Sequence, residues 1–165
     1  MNFENQEKIS YPEELEKTLE AKGLIDLLEN DFNKYLQEES GIEIRSELTV
    51  LKLIKLYIYK NREKIKSITE GSVLSGFDCL TLSIITCLLA NRKGYQIKIG
   101  RPDKIIKHFH SLLVRSNGEM FKIAGKDTNY SAKVMEAGDI IDRLKYIKPI
   151  INTVDLIKKS FKNRA

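Results

Sequence analysis

Cys79 is the residue of this chain best suited to nucleophilic chemistry. It stands three residues after Gly76, where the apolar helical pattern of residues 79–93 begins, so the spacing predicts that it opens a helix. A cysteine at a helix N-terminus lies at the positive end of the helix macrodipole, which favours the thiolate over the thiol. Because the thiolate is the nucleophilic form, this position predicts a reactive cysteine.

Both histidines of the chain follow the predicted cysteine helix. His108 and His110 stand at the start of a segment, residues 109–115, that has the composition of a β-strand. A thiolate nucleophile needs an imidazole within hydrogen-bond distance, which first takes its proton and later protonates the leaving group. The small Ser111 and the strand that follows favour His110 as this base, and His108 is the alternative.

A third group is needed to orient the imidazole, and Asp127 is the candidate. The dipeptide Asn117-Gly118 is a hairpin signal, and a two-residue turn there pairs Ser116 with Glu119. Continuing that pairing places Asp127 on the same face of the sheet as the histidines. Asn129 has the same parity and is the alternative.

The elements that position these residues begin with three predicted helices. An S-x-x-E capping box starts the first helix at Ser10, and Gly23 ends it. The second helix ends at Ser40-Gly41, and the third, capped by Ser46, spans about residues 47–66.

The outer face of the third helix is basic and carries Tyr59. Such a face could contact phosphates, although a lysine-rich surface that keeps the chain in solution is the commoner meaning of the pattern. The basic residues of this face are Lys52, Lys55, Lys60, Arg62 and Lys64.

After the cysteine helix, which Gly94 ends, the hydrophobic period changes from that of a helix to that of a strand. The pattern predicts an antiparallel sheet of at least three strands and returns to helix near the C-terminus. The predicted strands are residues 95–99, 109–115 and 119–124, with a turn at 100–103, and the predicted short helices are residues 139–145 and 154–162.

Length and composition predict one globular domain. The chain has 165 residues, of which 42% are hydrophobic and 31% charged, and its net charge of +5 gives only weak support to a nucleic-acid partner. Cys79 and Cys87 are too far apart in one helix to form a disulfide, which favours a reducing compartment. Because the sequence shows neither a secretory signal nor a membrane span, we expect a cytoplasmic chain with no membrane partner.

The order of cysteine helix, histidine strand and aspartate after a neighbouring strand resembles the transglutaminase-like superfamily of cysteine enzymes. The resemblance covers roughly residues 75–129. The aromatic residue that usually follows the histidine by two is Leu112 here, and the usual tryptophan before the aspartate is absent. The matching residues are Gly76, Cys79, Ser83, Leu88-Leu89, Arg92, Gly94, His110 with the segment that follows it, and Asp127.

The resemblance implies acyl transfer through a thioester, with hydrolysis of a peptide or isopeptide amide as the preferred reaction. Cys79 would be the nucleophile, His110 the base and then the acid, and Asp127 the orienting group. The backbone N–H of Cys79 would help to bind the oxyanion. We expect no cofactor and no metal, because the chain lacks four well-spaced cysteine and histidine ligands and shows no acidic calcium loop.

The fold class that we predict is α+β with a cysteine-proteinase-like core: a helix bearing a cysteine at its N-terminus, packed on a small antiparallel sheet. Residues 1–165 form a single domain, with a helical N-terminal part (1–70), a catalytic-type core (71–130) and a C-terminal helical part (131–165). The alternative is a catalytically inactive transglutaminase-like module that binds protein or nucleic acid.

Overall fold

A computed structural model describes residues 10–102, 112–123 and 132–144 of the chain. Within these segments, helices pack on a four-stranded antiparallel sheet, which confirms the predicted α+β class. The α-helices are α1 (Tyr11–Thr18), α2 (Lys22–Tyr35), α3 (Glu47–Lys60), α4 (Arg62–Thr69), α5 (Cys79–Arg92) and α6 (residues 137–144), and a π-helical turn (Leu36–Ser40) continues α2. The strands are β1 (Lys98–Pro102), β2 (Leu112–Val114), β3 (Met120–Phe121) and β4 (Ala132–Val134).

The N-terminal helices begin where the capping signals predict. The side chain of Ser10 accepts a hydrogen bond from the backbone N–H of Glu13 at 3.4 Å, which confirms the start of α1. The prediction that Gly23 ends this helix is wrong, because α1 stops at Thr18 and Gly23 lies in the first turn of α2. The chain turns instead at Glu20, between α1 and α2, where φ is +53°.

The third predicted helix is in fact two helices. Ser46 accepts from the N–H of Thr49 at 3.2 Å, which confirms the start of α3. The chain then breaks at Asn61, whose side chain donates to the carbonyl oxygen of Tyr57 at 3.1 Å. An asparagine side chain that bonds the backbone in this way competes with helix continuation, so α4 begins as a new helix at Arg62.

Helix α5 lies at the centre of the domain. Every residue from Leu80 to Ala90 is buried, which confirms the prediction of a helix surrounded by the core. The helix contacts α1, α2 and α3 along its length and packs on β1 and β2 of the sheet. Its position is therefore fixed from several sides.

The strands of the sheet are arranged in the order β3-β2-β1-β4, and every neighbouring pair is antiparallel. The first strand begins three residues later than predicted and includes Gly100 to Pro102, which had the composition of a turn. These residues extend the strand because β4, which the sequence did not predict, pairs with them from Gly100↔Val134 to Pro102↔Ala132.

The hairpin between β2 and β3 has a three-residue loop rather than the predicted two-residue turn. Leu113 pairs with Phe121, and the N–H of Arg115 donates to the carbonyl oxygen of Glu119 at 2.8 Å. Gly118 provides the left-handed residue of the loop, with φ +84°. The predicted pairing of Ser116 with Glu119 is thus wrong by one residue.

Candidate active site at the start of helix α5

Cys79 is the first residue of α5, as the sequence predicts, and its side chain is partly exposed. The residue before it, Asp78, caps the helix. The carboxylate of Asp78 accepts hydrogen bonds from the backbone N–H of Thr81 at 3.0 Å and from the Thr81 hydroxyl at 2.8 Å. A thiol at this position is accessible to a reagent while the backbone that carries it is held by the cap.

The chain segment just before Cys79 contains a residue with a strained backbone. Phe77 has φ +48°, a conformation that is rare for a bulky side chain. Two cations of α4 hold its ring: the Cζ atom of Arg62 lies 5.2 Å and the Nζ atom of Lys66 5.4 Å from the ring centroid. These tertiary contacts help to fix the turn that delivers the chain to the cysteine, and strain of this kind is concentrated at functional sites.

The far end of α5 is anchored by an ion cluster around Arg92. Its guanidinium donates to Glu16 of α1 at 2.5 Å and to Asp26 of α2 at 2.6 Å, and Glu29 lies 3.7 Å away. Although burial acts to lower the pKa of Arg92, the carboxylates of Asp26 and Glu16 raise it, so the group stays charged. The cluster ties α5 to both N-terminal helices.

Cys87 lies in a different environment from Cys79. It is fully buried, and its thiol donates to the carbonyl oxygen of Ile97 at 3.0 Å. Burial raises the pKa of the Cys87 thiol to about 12. The prediction that Cys87 packs in the core is therefore confirmed, and Cys79 is the more exposed of the two cysteines.

The chain that leaves α5 runs back along the helix toward Cys79. The N–H of Tyr95 donates to the carbonyl oxygen of Ala90, near the end of the helix, at 3.0 Å, and Ile97 contacts Cys87 about one turn closer to its start. From Ile97, the five residues to Pro102 span roughly 16 Å at ~3.3 Å per residue, compared with about 12 Å of helix between Cys87 and Cys79 at ~1.5 Å per residue. Strand β1 is thus long enough to reach the level of the Cys79 end of α5.

Strand β2 begins beside the end of strand β1. Leu112 pairs with Gly100, near the end of β1, and β2 also packs on α5. The predicted base, His110, precedes Leu112 by two residues along the chain. His110 and the alternative His108 lie outside the described residues.

The predicted acid, Asp127, and its alternative, Asn129, also lie outside the described residues. The observed β2–β3 register differs by one residue from the pairing that set Asp127 on the face of the histidines, so that argument no longer supports it. Asp127 stays a prediction that rests on its order in the chain. Within the described segments, no group of three or more histidine, cysteine or acidic residues could hold a metal ion.

Sequence reasoning missed the contribution of Asp78 and of the two cations over Phe77. The Asp78-x-x-Thr81 spacing is an N-cap signal that could have been found in the sequence. The contacts of Arg62 and Lys66 with Phe77 join two elements across a turn, so no local pattern reveals them.

No protein-family model, no curated protein and no solved structure matches this chain. Among the helices of the described segments, none is long and apolar enough to span a membrane.

Proposed function

We propose that the chain is a transglutaminase-like cysteine enzyme that transfers the acyl group of a peptide or isopeptide amide, with water as the preferred acceptor. Cys79 is the nucleophile, His110 the base and then the acid, and Asp127 the group that orients the imidazole. The observation that carries the proposal is the partly exposed Cys79 at the first position of a helix whose next eleven residues are all buried. Such a cysteine is held rigidly and remains accessible, as a nucleophile requires.

The topology supports His110 as the base. The chain that leaves α5 returns along that helix, and Leu112, the first residue of β2, pairs with Gly100 near the end of β1. His110 precedes Leu112 by two residues in the sequence, and this order along the chain supports its assignment. The order of cysteine helix, β1, β2 and β3 is also the order that the resemblance implies.

In the proposed reaction, the Cys79 thiolate attacks the carbonyl carbon of the amide. The oxyanion that forms accepts a hydrogen bond from the backbone N–H of Cys79. The His110 imidazolium protonates the departing amine, which leaves the acyl group on sulfur as a thioester. His110 then removes a proton from water, and the hydroxide equivalent attacks the thioester, releasing the acid and restoring the thiolate.

The proposal can be tested without knowing the natural substrate, by using 4-nitrophenyl acetate as the acyl donor. We expect rapid release of 4-nitrophenolate and a mass increase of one acetyl group on the peptide that contains Cys79. Cys79→Ala should abolish both signals, and His110→Ala should lower the acetylation rate at least 100-fold, the lower limit for losing a general base. His108→Ala and Cys87→Ala are the matched controls and should retain the rate. Equal acetylation rates in wild type and His110→Ala would refute the proposal.

A second candidate function is suggested by the outer face of α3. Tyr59 is 85% exposed, and Leu56 beside it is also exposed. Lys52 and Lys60 flank them on the same side of the helix, so an aromatic ring and two cations face solvent together. This combination suits stacking on bases and contact with phosphates, as in an inactive module that binds single-stranded nucleic acid.

The two functions are separated by measuring binding of a fluorescent single-stranded oligonucleotide at several salt concentrations. Affinity that falls steeply with salt, is lost in Tyr59→Ala and survives Cys79→Ala would favour the module. No binding at low salt would exclude it.

A further inference from the structure

Two cations of α4 are gathered beside the candidate nucleophile. Arg62 and Lys66 are four residues apart on one helix, so their side chains leave the same face. Both lie over the ring of Phe77, at 5.2 and 5.4 Å from its centroid. Because Phe77 precedes Cys79 by only two residues, the ring that the pair contacts is close along the chain to the site that is proposed to bind the acyl donor.

The charges of this pair are only weakly offset by neighbouring carboxylates. Arg62 is exposed and forms no ion pair with any other residue in the described segments. Lys66 contacts Glu63 at 3.9 Å, but the Glu63 side chain is 88% exposed, so water screens that contact. Asp78 is the acidic residue closest to Cys79 in the chain, and its two oxygens already accept hydrogen bonds from Thr81.

The contacts with Phe77 leave the hydrogen-bonding groups of both cations available. A cation that lies over a ring is attracted by the π face and uses none of its N–H donors along the guanidinium edge. The ring therefore restrains two flexible side chains while their donors can still meet a carboxylate, for which the planar edge of arginine is well matched.

We propose that Arg62 and Lys66 form an anion subsite that selects acidic peptides as acyl donors for Cys79. This inference rests on the proposed function and names its substrate class. Phe77 and Cys79 are at most about 7 Å apart at Cα, which places the cations on the order of 12 Å from the reacting sulfur. An aspartate or glutamate within about two to four residues of the reacting amide spans that distance at ~3.3 Å per residue.

The electrostatic effect of Arg62 and Lys66 at Cys79 is tested by comparing two alkylation rates of this cysteine, one with iodoacetate, an anion, and one with neutral iodoacetamide. Two unit charges about 12 Å away, at an effective dielectric constant of about 60 and 0.01 M ionic strength, change the rate with an anion about threefold. The double variant Arg62→Gln/Lys66→Gln should therefore lower the iodoacetate-to-iodoacetamide rate ratio about threefold. At 1 M salt the two proteins should have the same ratio.

Lys17→Gln/Lys22→Gln is the matched control. It removes the same charge from the cavity beside Arg92, at the opposite end of α5 and about 20 Å away along the helix at ~1.5 Å per residue. By the same arithmetic, it should lower the ratio only about 1.6-fold at 0.01 M ionic strength. Arg62→Lys keeps the charge and should retain the ratio, which separates loss of charge from loss of local folding.

An unchanged ratio in the double variant at low salt would overturn the anion subsite. An equal fall in the Lys17→Gln/Lys22→Gln control would also overturn it, because the effect would then report net charge. Slow labelling of Cys79 by both reagents, together with the threefold fall, would refute the proposed catalysis and still support the anion-attracting pair.

Discussion

Replacing Arg92 by methionine tests how strongly the cysteine helix is anchored. Only 21% of the Arg92 side chain is exposed, and Glu16 is 12% exposed, so the change leaves a carboxylate largely buried without its cation. Breaking a buried ion pair from one side costs about 3–5 kcal/mol. Because Asp26 is 48% exposed and regains hydration, we expect the lower end of that range, about 3 kcal/mol. Because methionine retains the apolar stem of the side chain, the measured loss of stability is due to the missing charge.

The free energy of unfolding is measured by urea denaturation, with Arg45→Met as the matched control. Arg45 pairs with Glu43 at 3.0 Å, but the two side chains are 81% and 74% exposed, so its loss should cost no more than about 0.5 kcal/mol. Glu16→Gln in the Arg92→Met background should restore part of the loss, because it removes the unpaired charge. A destabilisation below about 1 kcal/mol for Arg92→Met would refute the anchoring argument.

Three further predictions concern neighbouring parts of the core and use the same urea measurement. Asp78→Ala removes the cap of α5 and should cost about 1 kcal/mol, whereas Asp78→Asn should cost less, since asparagine is an equally good cap; equal losses would contradict the cap. Tyr57→Phe removes a 2.7 Å hydrogen bond to the buried carboxylate of Asp31 and should cost about 1.5 kcal/mol, and no loss would contradict that role. Burial raises the pKa of Cys87 to about 12, so the folded chain keeps a proton that the unfolded chain loses above about pH 8.5. The stabilisation that comes from this thiol should therefore be fully present below that pH and be lost as the pH rises toward 12. The free energy of unfolding of Cys87→Ala should fall less steeply over this range, and identical pH profiles for the two proteins would contradict the prediction.

The parts of the fold that the sequence predicts well are those specified by local signals. Ser10 and Ser46 are caps whose hydrogen-bond acceptors lie three residues from their donors, so a short window of sequence contains the whole interaction. The largely apolar segment after Cys79 likewise has one stable place, the core.

The errors arise where a competing or distant interaction decides the structure. The break at Asn61 comes from a side chain that bonds the backbone within an otherwise helical pattern. Gly100 and Pro102 lie in a strand because β4, thirty or more residues away in the sequence, pairs with them. The loop at Gly118 has one residue more than predicted, and a single residue changes which faces are shared beyond it.

The candidate site is predictable to a similar extent. The position of Cys79 follows from the helix start, which the structure confirms. The cations over Phe77 depend on how α4 packs against the turn before α5, and the sequence contains no periodic signal for that contact. The assignments of His110 and Asp127 stay predictions, and the topology of β1 and β2 supports the first of them.

The distance between the Cys79 sulfur and the His110 ring nitrogens tests the central claim most directly. A crystal structure that includes residues 103–111 would measure it. A thiolate and an imidazole that exchange a proton lie within hydrogen-bond distance, so the proposed function predicts about 3.5–4 Å between sulfur and nitrogen. A separation beyond roughly 6 Å, in a crystal form where both residues are well ordered, would contradict the proposed catalytic role of Cys79.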